Sequence, residues 1–477
     1  MLHDFQTHKK FANYDVCIIG GGPAGISLAL QLGRAGKRVA LLEGGGLEYA
    51  EASQALYEVK SEGTDLYASS ARLRYLGGTS NHWSGRCRPF VAADFQTPPP
   101  GGLPGWPISF DEFNKTLPEA MRILDLPAQG FKAINAELPD GKFAADSFAM
   151  SAPTRFLSKY RDELAASKQI DVFYHCNCID LLFDKAASHI TAIKLVDYQR
   201  NSQQLSARRF VLAMGAIENA RTLLNSESLS KGGLPGMNWA GRCFMEHLNV
   251  SLGTFIPAKP EQFSEAEYFP NEPFVRQAGI GRGNISFGVI KEVTSYGRTA
   301  AVKNFVKNLA CNLGMAEKIK FIQDFQCPGA GTIGTLLEQY PHPDSSRITL
   351  SDERDALGMR KAVVKWAITD HDKKTIRTLG KEVAKSFAAA GLGFVKLSDF
   401  ILDERAPIPV AHHCHHMGTT RMAESDRWGV VDRNSQVFGV NNLFIAGSSV
   451  FPTGGGGNPT MPLLQLSLRL GDHLLKS

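Results

Sequence analysis

Two short stretches of this 477-residue chain combine residue types at spacings that suit chemistry. The first is GGGPAG, with Gly20, Gly22 and Gly25 in G-x-G-x-x-G spacing and the acid Glu43 further on. Glycine at the first position permits a tight turn, at the second lets the backbone approach a pyrophosphate, and at the third lets a helix pack closely on a strand. Glu43 is then placed to accept hydrogen bonds from a ribose hydroxyl. The second stretch is His412-His413-Cys414-His415-His416. Imidazole and thiol both ligate zinc, so the string invites a metal reading. Consecutive residues on a strand alternate faces, which would turn His413 and His415 one way and His412, Cys414 and His416 the other. Three or four convergent ligands are hard to assemble locally from such a run, and no metal is expected.

The elements needed to position the first motif are present around it. YDVCIIG is an apolar, β-branched run of strand length that leads straight into the glycines. ISLALQLGRAG follows with apolar positions at helical spacing, and KRVALLE supplies a second strand ending on Glu43. The start of that helix offers free N–H groups and partial positive charge to phosphates. A strand, turn, helix, strand and acid in this order predict dinucleotide binding and leave FAD or NAD open. RFVLAMGAIENARTLL, residues 209–224, repeats the strand, a small-residue turn at Met214-Gly215-Ala216, and a helix. It resembles the second nucleotide-contacting stretch of flavoproteins with two dinucleotide-binding domains. IDVFYHCNCIDLLFD upstream resembles the strand that brings Cys178 to the adenine edge in such proteins, and reads equally well as a core strand.

Composition narrows the class. The chain is too long for one compact core, so two or more units are expected. Hydrophobic residues at 43% and charged residues at 21% are ordinary for a globular protein. A net charge of +5 with no Lys/Arg block argues against a nucleic-acid partner and leaves anionic substrates allowed but not implied. The first residues lack the apolar core of a signal peptide and a twin-arginine pair, and no run approaches the length of a membrane span. A cytoplasmic setting without an integral membrane segment is the expectation. The eight cysteines are scattered without a C-x-x-C pair and read as free thiols.

Two further blocks carry a family resemblance. RLRYLGGTSNHWSGRCRPF lies near the start, and the tail runs from HHCHHMGTTRM to FGVNNLFIAGSSVFPTGGGGNPTMPLLQLSLRLGDHL. Together they resemble the glucose–methanol–choline (GMC) oxidoreductases, in the branch of pyranose oxidase and the fructose dehydrogenase large subunit. The likeness covers roughly residues 14–110, 208–248 and 410–475 and fades between 250 and 400. It implies FAD as cofactor and, as substrate, a small alcohol or sugar hydroxyl oxidised to a carbonyl. Dioxygen or an external acceptor would take the electrons. It implies a Rossmann-type α/β FAD-binding domain made of residues 12–110, 155–248 and 410–477. Residues 111–154 and 249–409 would form an α+β substrate domain on a mainly antiparallel sheet.

The resemblance also distributes roles. His415, three residues before Gly418 in an HxxGT-like motif, is the residue that faces the flavin, with Asn458 of GGGGNPT as its partner. An imidazole near neutral pKa can take a hydroxyl proton, whereas an amide can only hold and orient the oxygen. His416 is the alternative base. Cofactor contacts are expected from Gly78, Thr79, Ser80 and His82, from Ala213, Gly215 and Glu218, from Gly447, and from Asn458, Pro459 and Thr460. His82 in GGTSNHW matches the histidine that is joined covalently to flavin in that branch.

In the middle of the chain, PPPGGLPGWP reads as a loop, and SRITLS and KAVVKWAI read as strands of a sheet roofing the pocket. Phe287 and Trp366 are candidates for its lining, although aromatics so placed are more often core than substrate contacts. Residues 303–325 read as a helix with Lys303, Lys307, Lys318 and Lys320 on a solvated face. Two functions of different class stay open: a flavin-dependent alcohol oxidoreductase, including one that tailors a secondary metabolite, or a non-catalytic flavin-binding subunit of a larger complex.

Overall fold

The computed structural model describes all residues except 9, 65, 97, 100, 128–130, 132–135, 227–228, 230–232, 259–266, 290–330 and 477. Its first layer is a six-stranded sheet in the order Leu2–Asp4, Ile170–Tyr174, Val39–Leu42, Tyr14–Ile19, Ala207–Leu212 and Leu443–Ile445. Every pairing in it is parallel. Such a sheet is covered on both faces, so its strands read as continuous apolar runs. VALL is buried at all four positions, and each aliphatic side chain so buried contributes about 1.5–3 kcal/mol. The helix Pro23–Arg34 follows the glycine turn and packs against the last helix, Thr460–Lys476.

The second layer is an antiparallel sheet of eight strands. Its order is Gly393–Leu397, His247–Pro257, Gly331–Glu338, Gly283–Val289, Glu267–Pro270, Phe143–Asp146 and Ala136–Glu137, with Ala411–His412 added beside His247–Pro257. The helix Asp370–Ala389 covers it. That helix starts at a capping box, in which Thr369 and Asp372 satisfy each other's backbone N–H. Of the stretch 111–154, Leu117–Ile123 packs on the last helix, whereas Phe143–Asp146 joins the antiparallel sheet.

Two expectations for this region need correction. SRITLS and KAVVKWAI do form strands, Arg347–Arg354 and Arg360–Trp366, but not in the roof. Arg360–Trp366 lies between Arg347–Arg354 and Val59–Gly63 in a separate three-stranded sheet. Ile348, Ala362 and Val364 are buried there in one core with Ile217 and Ala220 of the helix Gly215–Asn225, and that helix gives the sheet its surface to cover. Trp366 and Phe287 likewise are not among the residues that line the pocket. Trp366 is fully buried and donates to Gln339 Oε1 at 2.8 Å. Phe287 packs among Phe255, Tyr268 and Phe387 at ring distances of 4.8–5.8 Å. Large aromatics on a sheet face are used first for packing against the covering helix. The lysine-bearing stretch 303–325, which includes Cys311, and Cys327 beyond it lie outside the described residues. Six other cysteines are free thiols. Among the described residues no helix is long and apolar enough to cross a membrane.

Candidate active site

The glycine turn behaves as its spacing predicts. Gly20 has φ +118°, and a Cβ there would sit 2.5 Å from the Ala213 carbonyl oxygen. A Cβ on Gly25 would meet the Gly20 carbonyl oxygen at 1.9 Å, so helix and strand could not approach as they do. Gly22, by contrast, faces open space. That space belongs to a cavity of about 580 Å³, within the usual range for a small-molecule site.

Nearly every residue singled out in the sequence lines this cavity. At one end lie Gly20, Gly22 and Glu43, with Ala213, Gly215 and Glu218 beside them. Gly78, Thr79, Ser80 and His82 line it, as do Cys178 and Gly447. His415, His416, Asn458, Pro459 and Thr460 complete the lining. Gly25 is the exception, buried beneath the turn. Glu43 is held in place by two backbone N–H groups, Gly21 to Oε2 at 3.0 Å and Gly45 to Oε1 at 2.7 Å. The Ser80 hydroxyl is used internally, donating to the Gly77 carbonyl and accepting from Phe156 N–H. His82 is exposed within the cavity.

The space suits an extended cofactor. Cβ atoms on Gly22, Gly215 or Gly447 would project into emptiness rather than into protein, so backbone is bared to the cavity at three places. Arg72 and Arg74 also line it, an electropositive contribution that sequence reasoning missed. Arg72 pairs with Glu218 at 2.8 Å, and Arg221 pairs with the same carboxylate at 3.2 Å. Burial alone would raise the Glu218 pKa, but Arg221 and Arg72 outweigh it and hold the carboxyl below its ordinary value.

The histidine string departs from a simple strand. Regular pairing ends at His412, and Cys414 adopts φ +63°, uncommon for a residue with a Cβ. Even so, His413 and His415 lie on one side, their rings stacked at 5.7 Å. Glu246 holds this bend. Its fully buried carboxylate accepts the His415 N–H at 2.7 and 2.9 Å and the His247 N–H at 2.8 Å. Burial pushes Glu246 up to about 8 despite those donors. Among the described residues no cluster suits a metal ion.

His415 is the ring at the centre. Its Nε2 lies 3.2 Å from Asn458 Nδ2, and its Nδ1 lies 2.9 Å from Nδ1 of His247. The other nitrogen of His247 is 2.8 Å from the Gly455 carbonyl oxygen. The Gly455 N–H in turn donates to Glu338 Oε1 at 2.9 Å. His247 and Glu338 sit directly opposite each other on paired strands of the roof. Burial, then the neighbouring histidines and Arg86, keep the His415 pKa well below its ordinary value, so the ring is neutral near pH 7. His416 is pushed down to about 3 by burial, and its Nε2 has no hydrogen-bond partner and lies 3.7 Å from Glu246. Asn458 Oδ1 is also buried without a partner. Glu246 and His247 escaped sequence reasoning because their partners lie about 170 residues away, and nothing in the string MEH marks the connection.

Known proteins match this chain in both of its halves. A family profile described as FAD dependent oxidoreductase matches residues 15–228, and one described as GMC oxidoreductase matches residues 341–467. A C-glycoside 3-oxidase of Microbacterium trichothecenolyticum is 30% identical over 132 residues, 27% of this chain but only 24% of that relative. A 2-methyl-1,2-propanediol dehydrogenase of Mycolicibacterium austroafricanum is 22% identical over 96% of this chain and 95% of its own length. The crystal structure of a pyridoxine 4-oxidase from Mesorbium loti shares the fold, with a TM-score of 0.62 at 18% identity, over 97% of this chain and 99% of that one. The chain thus joins an FAD dependent oxidoreductase domain, residues 15–228, to a GMC oxidoreductase domain, residues 341–467.

Proposed function

We propose that this protein oxidises the hydroxyl-bearing carbon of a small polar alcohol or sugar to a carbonyl, with His415 as base and Asn458 as positioner. The observation that supports it most is the pairing of His415 Nε2 with Asn458 Nδ2 at 3.2 Å on the wall of the cavity that also exposes the glycine turn. An entering hydroxyl can donate to Nε2 and accept from the amide, taking the place of their contact with each other. Removal of the hydroxyl proton by a neutral imidazole lets the oxygen's electrons expel a hydride from carbon. FAD, when bound, supplies the hydride acceptor. The relatives named for a glycoside, a diol and pyridoxine support a polar alcohol as substrate class. Dioxygen or an external acceptor would reoxidise the cofactor, and the free thiols suit a reducing compartment such as the cytoplasm.

The test is anaerobic mixing of the FAD-loaded protein with a panel of sugars, glycosides and aliphatic alcohols. At least one should bleach the flavin absorbance and yield the carbonyl product. A protein that binds FAD but is bleached by none, even with an artificial acceptor present, would be the non-catalytic subunit instead.

His82 is proposed as a covalent attachment point for FAD, supported by its exposure in the cavity next to Gly78 and Thr79. After acid precipitation the yellow colour should stay with the pellet, and His82→Ala should release it. Colour wholly in the supernatant of the wild-type protein excludes the link.

A further inference from the structure

We propose that His247 is a positioning residue that fixes the tautomer of His415, leaving Nε2 of His415 bare toward the cavity. The inference rests on the reading of His415 as the base. It follows from donor and acceptor accounting along one chain of contacts. The Gly455 carbonyl oxygen can only accept, so Nε2 of His247, 2.8 Å away, carries the hydrogen. A neutral imidazole has a single N–H, and burial holds His247 neutral by pushing its pKa down to about 3. Nδ1 of His247 is therefore an acceptor. The atom 2.9 Å from it is Nδ1 of His415, which must donate. Neutral His415 then has no hydrogen on Nε2. The lone pair there meets the Asn458 amide at 3.2 Å, which orients that side chain with its NH₂ toward the imidazole and its oxygen away.

The opposite tautomer would be useless for proton abstraction. With hydrogen on Nε2, His415 would offer a donor where the reaction needs an acceptor, and two bare Nδ1 atoms would face each other at 2.9 Å. The Gly455 contact sets the tautomer of the base at a distance of two rings. Glu246, next in sequence, accepts the backbone N–H of both histidines and so fixes their separation. One dipeptide of the roof thus sets where the base stands and which nitrogen it presents.

Two substitutions separate this role from packing. His247→Asn places an amide oxygen near the position of Nδ1 and keeps an acceptor for His415. His247→Gln places its amide near Nε2, keeps the Gly455 contact and loses that acceptor. With the best alcohol found, His247→Gln should lower kcat about 10²-fold, the scale of a general-base contribution. KM and FAD content should stay near wild type. His247→Asn should recover most of the rate. The second readout needs no turnover: long-range ¹H–¹⁵N spectra of histidine-labelled, FAD-loaded protein, with His415 identified by its loss in His415→Ala. Wild-type His415 should show hydrogen on Nδ1 only, and His247→Gln should show a mixture. An Nε2–H tautomer in the wild type overturns the inference. So do an unchanged tautomer in His247→Gln or an equal loss of rate in both variants. Full activity in His415→Ala would instead sink the assignment of the base, while the spectra would still report the tautomer.

Discussion

The glycine turn after the first strand and the wall that holds His415 are built on opposite plans. The turn comes from one continuous run, residues 14 to 43, in which each strand and helix follows the last. The wall is gathered from Glu246 and His247, from residues 412–416 and from residues 455–458, joined through contacts across the whole second half of the chain. The first plan needs only local spacing to be right. The second needs a sheet register, a buried carboxylate and a turn of the tail to be right together. A local device tolerates change elsewhere in the fold, whereas an assembled one is exposed to it.

The largest expected effect sits in the assembled wall. His415→Ala should slow flavin reduction by about 10²–10⁴-fold while FAD remains bound, because the loss is of proton acceptance. Stopped-flow reduction measures it, with His416→Ala as the comparison. The His416 ring is walled in beside Glu246, so its removal should cost no more than a few-fold. The reverse ranking would move the base by one residue.

Asn458→Ala should come next, lowering kcat and raising KM together. It removes a hydrogen bond made to the substrate oxygen both before and during hydride transfer, worth about 1–3 kcal/mol when its loss strands a buried partner. Steady-state kinetics on the same alcohol would show both parameters move. A change in KM alone would restrict the amide to binding.

Gly25→Ala probes the local plan. The added methyl would meet the Gly20 carbonyl oxygen at 1.9 Å, and backbone rather than a flexible side chain must yield. Overpacking of this kind costs about 1–3 kcal/mol, so both Tm and FAD occupancy should fall. A variant that loads FAD normally would show that the turn tolerates more than its spacing suggests.

The smallest effect is the pH response of the unmodified fold. Glu246, pushed up to about 8, holds its proton in the folded state where the unfolded chain has lost it. Stability should therefore fall as pH rises through the range between its ordinary value of 4.5 and about 8. Glu338, raised to about 7, acts in the same sense. His247 and His416, pushed down to about 3, act oppositely, and their contribution is lost as pH falls below 6.5. The two pairs oppose each other between about pH 4.5 and 6.5, so Tm should change little there and fall above pH 6.5, and Glu246→Gln should flatten the alkaline side. A monotonic rise in Tm from pH 6.5 to 8 would contradict the burial of that carboxyl.

These contrasts explain what could be read in advance. Gly20, Gly22, Gly25 and Glu43 were legible because a strand, turn and helix impose their own spacing. The tail motifs at His415 and Asn458 were legible through family resemblance, and the structure brings the two side chains within 3.2 Å. The strand after Arg347 was legible as a strand but not as a member of its own sheet, since alternation gives an element's face and never its neighbour. Trp366 and Phe287 stay open between core and lining in the sequence, because an aromatic in a strand looks the same whether it packs on a helix or lines a cavity. His247 could not be read at all. Its value lies in the lone pair of one nitrogen, which depends on a carbonyl 208 residues away.

Gly455 has a mechanical consequence. Its N–H is tied to Glu338 and its carbonyl to His247, two residues facing each other on one rung of the roof. A residue held through both its N–H and its C=O by a single rung works as a rivet between the roof and the turn that carries Asn458. Sliding this rung past the turn would have to break both hydrogen bonds, which ties the placement of His247 to that of Asn458.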